Sequence, residues 1–324
     1  MQNYNNFQKI LHELCLGKKF IKKSLYEIEK IIFYRKNDWV KSSNHVFITG
    51  LPRSGTTALL NFIYLSDQFS SFLYEDMPFI MAPNIYSKIY KKKEIIRTER
   101  FHGDGILFDL NSPEAFDEVF FLTFNNEEIK KELVKFISLI LKKNNKKRYL
   151  SKNNFNYKRI SLLSTIFPNS TYLIPFRDPI KHSYSLLSQH LRFLKIQKEN
   201  SFVLKYMNFL GHVEFGINHK SWNISKTNLK FSDINYWLDQ WFIFYSDLFT
   251  KIHKVKNLYF ICYEKLNDEN YINKLKKKIE LKSENNFNFK NSDNKISENI
   301  DTVILNRANE LYKKLEIESR KLLI

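Results

Sequence analysis

The sequence predicts an α/β fold, with a central, mostly parallel sheet flanked by helices in three layers. Three observations carry this expectation. Short apolar runs rich in β-branched and aromatic residues recur at wide spacing, at 45–49, 171–176 and 257–266. The first two run through a turn into an amphipathic helical pattern, the alternation expected of a parallel sheet. The first of these junctions, Gly50-Leu-Pro-Arg-Ser-Gly-Thr-Thr57, is bounded by glycines and opens a helix. Backbone N–H groups of such a loop and the positive end of the helix converge on an anion.

Taken in order, residues 1–43 read as helical and include a basic amphipathic stretch from Lys18 to Lys30. Residues 45–49 read as a buried strand, and Thr56, Thr57, Ala58, Leu59, Leu60, Phe62, Ile63 and Leu65 as the helix after the loop. The loop nearly fits the nucleoside-triphosphatase pattern G-x-x-x-x-G-K-[ST], but Thr56 stands where that pattern has lysine. The cation lies inside the loop, at Arg53. A fixed guanidinium there suits one phosphate with one further anionic group, rather than a triphosphate with magnesium.

A second strand is expected at 69–73, followed by Tyr74-Glu75-Asp76. Ser112 reads as a helix N-cap, with Glu114 and Glu118 facing the helix dipole. Lys152 precedes Asn153, Asn154 and a helical run that stops before Phe167-Pro168. The strand at 171–176 ends in Arg177-Asp178-Pro179, where Asp178 is an N-cap, Pro179 a first helical residue, and Ser185 lies two turns into the helix. Residues 191–235 form a mixed segment. Tyr236, Trp237, Trp241, Tyr245 and Leu248 have the spacing of a core-facing helix. An Asn/Lys/Ser/Glu-rich loop follows around 283–300, then a terminal helix from Asp301.

No Pro/Gly/Ser-rich linker divides the 324 residues. The expectation is therefore one domain, 1–324: an N-terminal helical segment at 1–43, a core at 44–266 with an insertion at 191–235, and a C-terminal extension at 267–324. Two dissimilar cysteines, Cys15 and Cys262, make no disulfide framework and point to a reducing compartment. No apolar run approaches the roughly 20 residues of a membrane span, and the amino terminus lacks a signal-peptide core. A cytoplasmic location is expected. The abundance of Lys, Asn, Ile, Phe and Tyr hints at an AT-rich bacterial genome.

The net charge of +18 calls first to mind nucleic acid. The lysines are scattered, however, with clusters at Lys91-Lys92-Lys93, Lys142 to Arg148 and Lys276-Lys277-Lys278, and no recognition motif accompanies them. Nucleic-acid binding is not expected. Steering of an anionic small molecule, an acidic polysaccharide or an anionic membrane surface also fits the excess. No His/Cys cluster has zinc spacing, and no metal is expected. The sequence gives no reading of oligomeric state.

The string Pro52-Arg-Ser-Gly-Thr-Thr57 resembles the sulfotransferase family, whose 5′-phosphosulfate loop reads Pro-(Lys/Arg)-Ser-Gly-Thr-Thr. Its arginine form is similar to that of tyrosylprotein and many bacterial sulfotransferases. Arg177, followed by Asp-Pro and by Ser185 eight residues on, looks like the family's 3′-phosphate motif, and Tyr263-Glu-Lys-Leu266 like its Tyr-Glu-Asp-Leu element. The resemblance spans about 44–266 and places the 191–235 insertion on the acceptor side. It implies a P-loop fold and 3′-phosphoadenosine 5′-phosphosulfate (PAPS) as donor, with PAP as product. It places Pro52, Arg53, Ser54, Gly55, Thr56 and Thr57 at the 5′-phosphosulfate, Arg177 and Ser185 at the 3′-phosphate, and Tyr263 near the adenine. It makes Lys152 a second cation beside the transferred group. For the base that takes the acceptor proton it offers Glu75 first, Asp76 next and His102, within His102-Gly-Asp-Gly105, as a rival. The acceptor class is expected to be a carbohydrate or glycolipid hydroxyl, with an amine as the variant. A P-loop nucleoside kinase or NTPase, and a non-catalytic nucleotide- or glycan-binding module, are the alternatives.

Overall fold

The computed structural model describes residues 4–89, 98–99, 107–222, 228–251, 254–282, 287–290 and 300–323. The chain opens with helices α1 (Asn6–Gly17), α2 (Lys19–Phe33) and α3 (Trp39–Ser42), as the first 43 residues predicted. There follow β1 (Val46–Ile48), α4 (Thr56–Tyr64), β2 (Phe69–Ser70), α5 (Pro83–Ile89), and a small antiparallel pair, β3 (Thr98–Glu99) with β4 (Leu107–Phe108). Next come α6 (Glu118–Thr123), α7 (Asn126–Lys143), β5 (Arg148–Lys152), α8 (Ile160–Ile166), β6 (Thr171–Phe176), α9 (Pro179–Glu199) and α10 (Ser201–Phe209). The chain closes with α11 (Ile234–Lys251), β7 (Leu258–Cys262), α12 (Glu269–Lys278) and α13 (Thr302–Ser319).

Five parallel strands form one sheet in the order β2-β5-β1-β6-β7. Val46 of β1 lies opposite Leu150 on one side and Thr171 on the other, so Ile48 is level with Lys152 and Leu173. From β1 the chain goes to the β2 edge, whereas β6 and β7 build the opposite side. The carboxyl end of β1 is therefore the point where the connections diverge, and in open α/β sheets ligands bind in the crevice outside that point. Strands β1 and β6 are buried along their whole length, which is why they read as continuous apolar runs rather than alternating ones.

Helix α11 packs against α9 and α13, and its Trp237, Trp241, Tyr245 and Leu248 are buried, the core role expected of their spacing. Tyr245 also donates its hydroxyl to the Pro175 carbonyl at 2.8 Å, anchoring the helix to β6. The Asp301 side chain caps α13 through the N–H groups of Val303 and Ile304, where the sequence placed the terminal helix.

Two local expectations are corrected. The strand at 69–73 shortens to Phe69–Ser70, and Leu73 forms an isolated bridge with Pro113. That bridge draws residues 109–114 into a turn against the chain after β2. Ser112 consequently bonds Asp109 instead of capping a helix, and α6 begins only at Glu118. Tertiary pairing overrides the local capping signal. Among the described residues no helix is long and apolar enough to cross a membrane.

Candidate active site

The loop after β1 has the shape its glycines foretold. Gly55 stands at φ 96 and Arg53 at φ 69, both left-handed. A non-glycine residue there is strained, and such strain gathers at ligand clamps. Gly55 is the N-cap position of α4, with no side-chain cap. The first-turn N–H groups of α4 are thus left to an outside acceptor. Ser54 and Thr56 are buried within the loop, and Thr57 is half-buried.

The requirement for glycine at 55 is steric as well. A Cβ there would lie 2.2 Å from Cδ2 of Tyr263. The Tyr263 ring closes over the loop, 5.4 Å from the Arg177 guanidinium, with its hydroxyl donated to the Lys290 carbonyl at 2.9 Å. Gly55→Ala is expected to weaken PAP binding about tenfold or more, since the left-handed conformation alone costs about 1–3 kcal/mol for a side-chain-bearing residue. Isothermal titration of the variant checks this.

The second junction folds as its sequence specifies. Asp178 caps α9 by accepting from the Lys181 N–H at 2.8 Å, and Pro179 occupies the first turn. The Asp178 N–H in turn donates to Glu264 at 2.8 Å, tying the ends of β6 and β7 together. The capped helix carries Ser185 to the loop, where Arg53 Nε donates to Ser185 Oγ at 3.1 Å. Arg177 donates to the Arg53 carbonyl at 3.3 Å. Both arginines, the serine, the uncapped helix end and Tyr263 therefore meet at the crevice beyond β1.

His182 of α9 fixes this junction from below. Its Nε2 lies 2.8 Å from the Pro52 carbonyl, which can only accept, so Nε2 carries the proton. Burial, and then the field of Arg177, push His182 down to about 3. His45, which bonds the Val40 carbonyl and receives the Tyr149 N–H, is pushed down to about 4 by burial. Both start from 6.5 in the unfolded chain, so between about pH 6.5 and 4 only the unfolded state takes up these protons. Stability should fall as pH drops through this window, by up to about 1.4 kcal/mol per pH unit for each histidine. Denaturant unfolding at pH 7 and pH 5 tests it, and equal stabilities would count against it.

Beside the loop, Lys152 ends β5, buried and level with Ile48. Its ammonium donates to Glu114 Oε1 at 3.3 Å. Glu114 also receives the Tyr74 hydroxyl at 3.0 Å on Oε2 and the Ala115 N–H at 2.9 Å on Oε1. A second buried carboxylate, Glu214, accepts from Asn154 Nδ2 at 3.3 Å, while Asn154 Oδ1 is buried without a hydrogen-bond partner among the described residues. Burial works to raise the Glu214 carboxyl, but His212 at 3.5 Å and the field of Lys152 hold it below the ordinary carboxylate range. Asn153 bonds Asp117 and Glu118, and Glu118 takes both guanidinium nitrogens of Arg159 at 2.6 Å. This network fixes the strand end that carries Lys152.

The candidate bases are placed differently. Glu75 and Asp76 sit in a single turn, and both carboxylates bind Lys143 of α7, Glu75 at 3.1 Å. Asp76 also accepts the Leu73 N–H at 2.8 Å, and its burial raises its pKa against the pull of Lys143. His102 lies outside the described residues. Sequence reasoning passed over Glu114 as a helix-start carboxylate and did not single out Tyr74, Asn154 or Glu214. Glu214 does fall in the 191–235 segment expected beside the acceptor.

A parallel sheet with an uncapped helix end and two arginines at its divergence point has the makings of an anion-binding crevice. Residues 45–203 match the sulfotransferase family. Its members are PAPS-dependent enzymes. Similar solved structures include a sulfotransferase from Mycobacterium avium, 12% identical over 97% of this chain and 79% of that one, with a TM-score of 0.44. Another is a sulfotransferase from Mycobacterium tuberculosis H37Rv, 11% identical over 95% and 83%, with a TM-score of 0.46. A third, from Alicyclobacillus acidocaldarius, is 11% identical over 87% and 96%, with a TM-score of 0.39. Likeness of that degree adds nothing to the assignment, which rests on the family match. No curated protein matches the chain in sequence.

Proposed function

We propose that this protein transfers the sulfuryl group of PAPS to a hydroxyl of a carbohydrate or glycolipid acceptor. The observation that carries the donor reading is the meeting of the two phosphate motifs, Arg53 on Ser185 at 3.1 Å and Arg177 on the Arg53 carbonyl at 3.3 Å. The open end of α4 and the Gly55 cradle under Tyr263 suit the 5′-phosphosulfate, while Arg177 and Ser185 suit the 3′-phosphate. PAPS supplies an activated sulfuryl group on a phosphate leaving group.

The protein's part is positioning and charge stabilisation. Arg53, the loop N–H groups, Thr56 and Thr57 hold the phosphate oxygen that gains charge as the sulfur–oxygen bond breaks. Lys152 neutralises the transferred group from the β5 side. We assign the acceptor proton to Glu114, because it is the carboxylate in contact with Lys152, while Glu75 and Asp76 are engaged by Lys143. Glu214, Asn154 Oδ1 and Tyr74 give this wall several hydrogen-bonding groups, which suits a polyhydroxylated acceptor better than an apolar phenol or an anion.

Calorimetry with PAP, adenosine 5′-phosphate and ATP–Mg tests the donor reading. Wild type should prefer PAP to adenosine 5′-phosphate, which lacks only the 3′-phosphate, and Arg177→Ala should erase that preference. A preference for ATP–Mg would move the assignment to a kinase.

A further inference from the structure

We infer that the end of the molecule opposite the donor loop is a docking surface for an anionic lipid membrane. Helix α2 turns Phe20, Ile28, Ile31 and Ile32 to solvent, exposed by 81, 48, 76 and 50%. Single exposed apolar residues are ordinary on a protein surface. Here, however, the helix ends at Phe33, and directly after Ile31 and Ile32 the chain enters a cleft of about 340 Å³, which Phe33, Tyr34 and Trp39 line together with Arg35, Lys142, Lys146 and Lys147. No carboxylate is among the described residues that line it. Lys146 is paired with Asp67 at 2.8 Å, and Lys142 and Arg35 donate to the backbone carbonyls of Phe33 and Tyr34, which leaves their charge uncompensated. Trp39, 39% exposed, lines the cleft beside these cations.

Exposed aliphatic side chains next to clustered cations and a tryptophan are the arrangement that seats a surface helix at the boundary between headgroups and acyl chains. The aliphatic residues enter the boundary, and lipid phosphates meet the cations. A second copy of the chain is the poorer occupant, since a two-fold contact would bring two like-charged clefts together. The cleft residues precede the amino-terminal ends of β1 and β5, whereas the donor loop lies beyond the carboxyl end of β1. Docking here leaves the donor site open, and the inference stands apart from the choice of acceptor.

The test is co-sedimentation of the full chain with vesicles of phosphatidylcholine alone or mixed with phosphatidylglycerol. Binding is expected on the mixed vesicles only, weakening as salt is raised. Ile31→Glu with Ile32→Glu, and separately Arg35→Glu with Lys147→Glu, should each lower it about tenfold or more, given the per-cation and per-methylene contributions at such surfaces. PAP affinity should stay unchanged in every variant, which shows that each is folded. Failure to sediment with the mixed vesicles, or binding that both double variants retain, would overturn the inference. So would a dimer in sedimentation velocity that the isoleucine variant dissolves, because the face would then belong to a second copy.

Discussion

Arg53→Ala is expected to weaken PAP binding about 10- to 100-fold, the range of a lost hydrogen bond to a charged group. It should lower kcat/KM by about a thousandfold or more, as removal of a cation that stabilises leaving-group charge does. The gap between the two numbers is the point of the measurement. A guanidinium that merely held the nucleotide would cost binding and kcat/KM equally and leave kcat unchanged. Arg53 lies in the loop itself, in a left-handed conformation, and its Nε is already fixed on Ser185. Little reorganisation is then needed as charge builds on the bridging oxygen. Arg53→Lys keeps the charge but not the fork, and should recover part of the binding and less of the rate. PAP affinity within about threefold of wild type in Arg53→Ala, a difference below 1 kcal/mol, would remove the loop from the donor site.

The geometry of the two loops proposed to hold the donor was legible in the sequence because it is local. Gly50 to Thr57, and Arg177 to Ser185, each carry strand end, turn and helix start in a few residues. The capping rules that placed Asp178 and Pro179 are short-range as well. What could not be read is the direct bond between Arg53 and Ser185, which joins residues 132 positions apart. The proposed acceptor half is tertiary throughout. Glu114 reaches Lys152 across 38 residues and Tyr74 across 40. Its neighbourhood is set by the bridge between Leu73 and Pro113, which turned a good local capping signal at Ser112 into a misleading one. Within Tyr74-Glu75-Asp76, the tyrosine is the member that faces Lys152's partner. The carboxylates go to Lys143 at the β2 edge of the sheet.

Glu114→Gln is the substitution that decides between the carboxylates. Glutamine keeps the acceptor for the Tyr74 hydroxyl and nearly the same volume, but it cannot take a proton from an acceptor hydroxyl. The expected loss in kcat is about 10²- to 10⁴-fold, the usual contribution of a positioned general base, with PAP affinity close to wild type. Glu75→Gln should stay within about tenfold of wild type on the same general-base scale. A purely structural part for Glu114 predicts something else. Removing one partner of a buried ion pair costs about 3–5 kcal/mol, which would appear in denaturant unfolding of Glu114→Gln and of Lys152→Met alike, without touching the pH dependence of what activity remains. The pH profile separates the two. If Glu114 is the base, the acidic limb of kcat vanishes in Glu114→Gln and persists in Glu75→Gln. An acidic limb lost in Glu75→Gln and kept in Glu114→Gln would move the proton to the Glu75 and Asp76 turn, and would require Lys143 to release one of them when the acceptor binds.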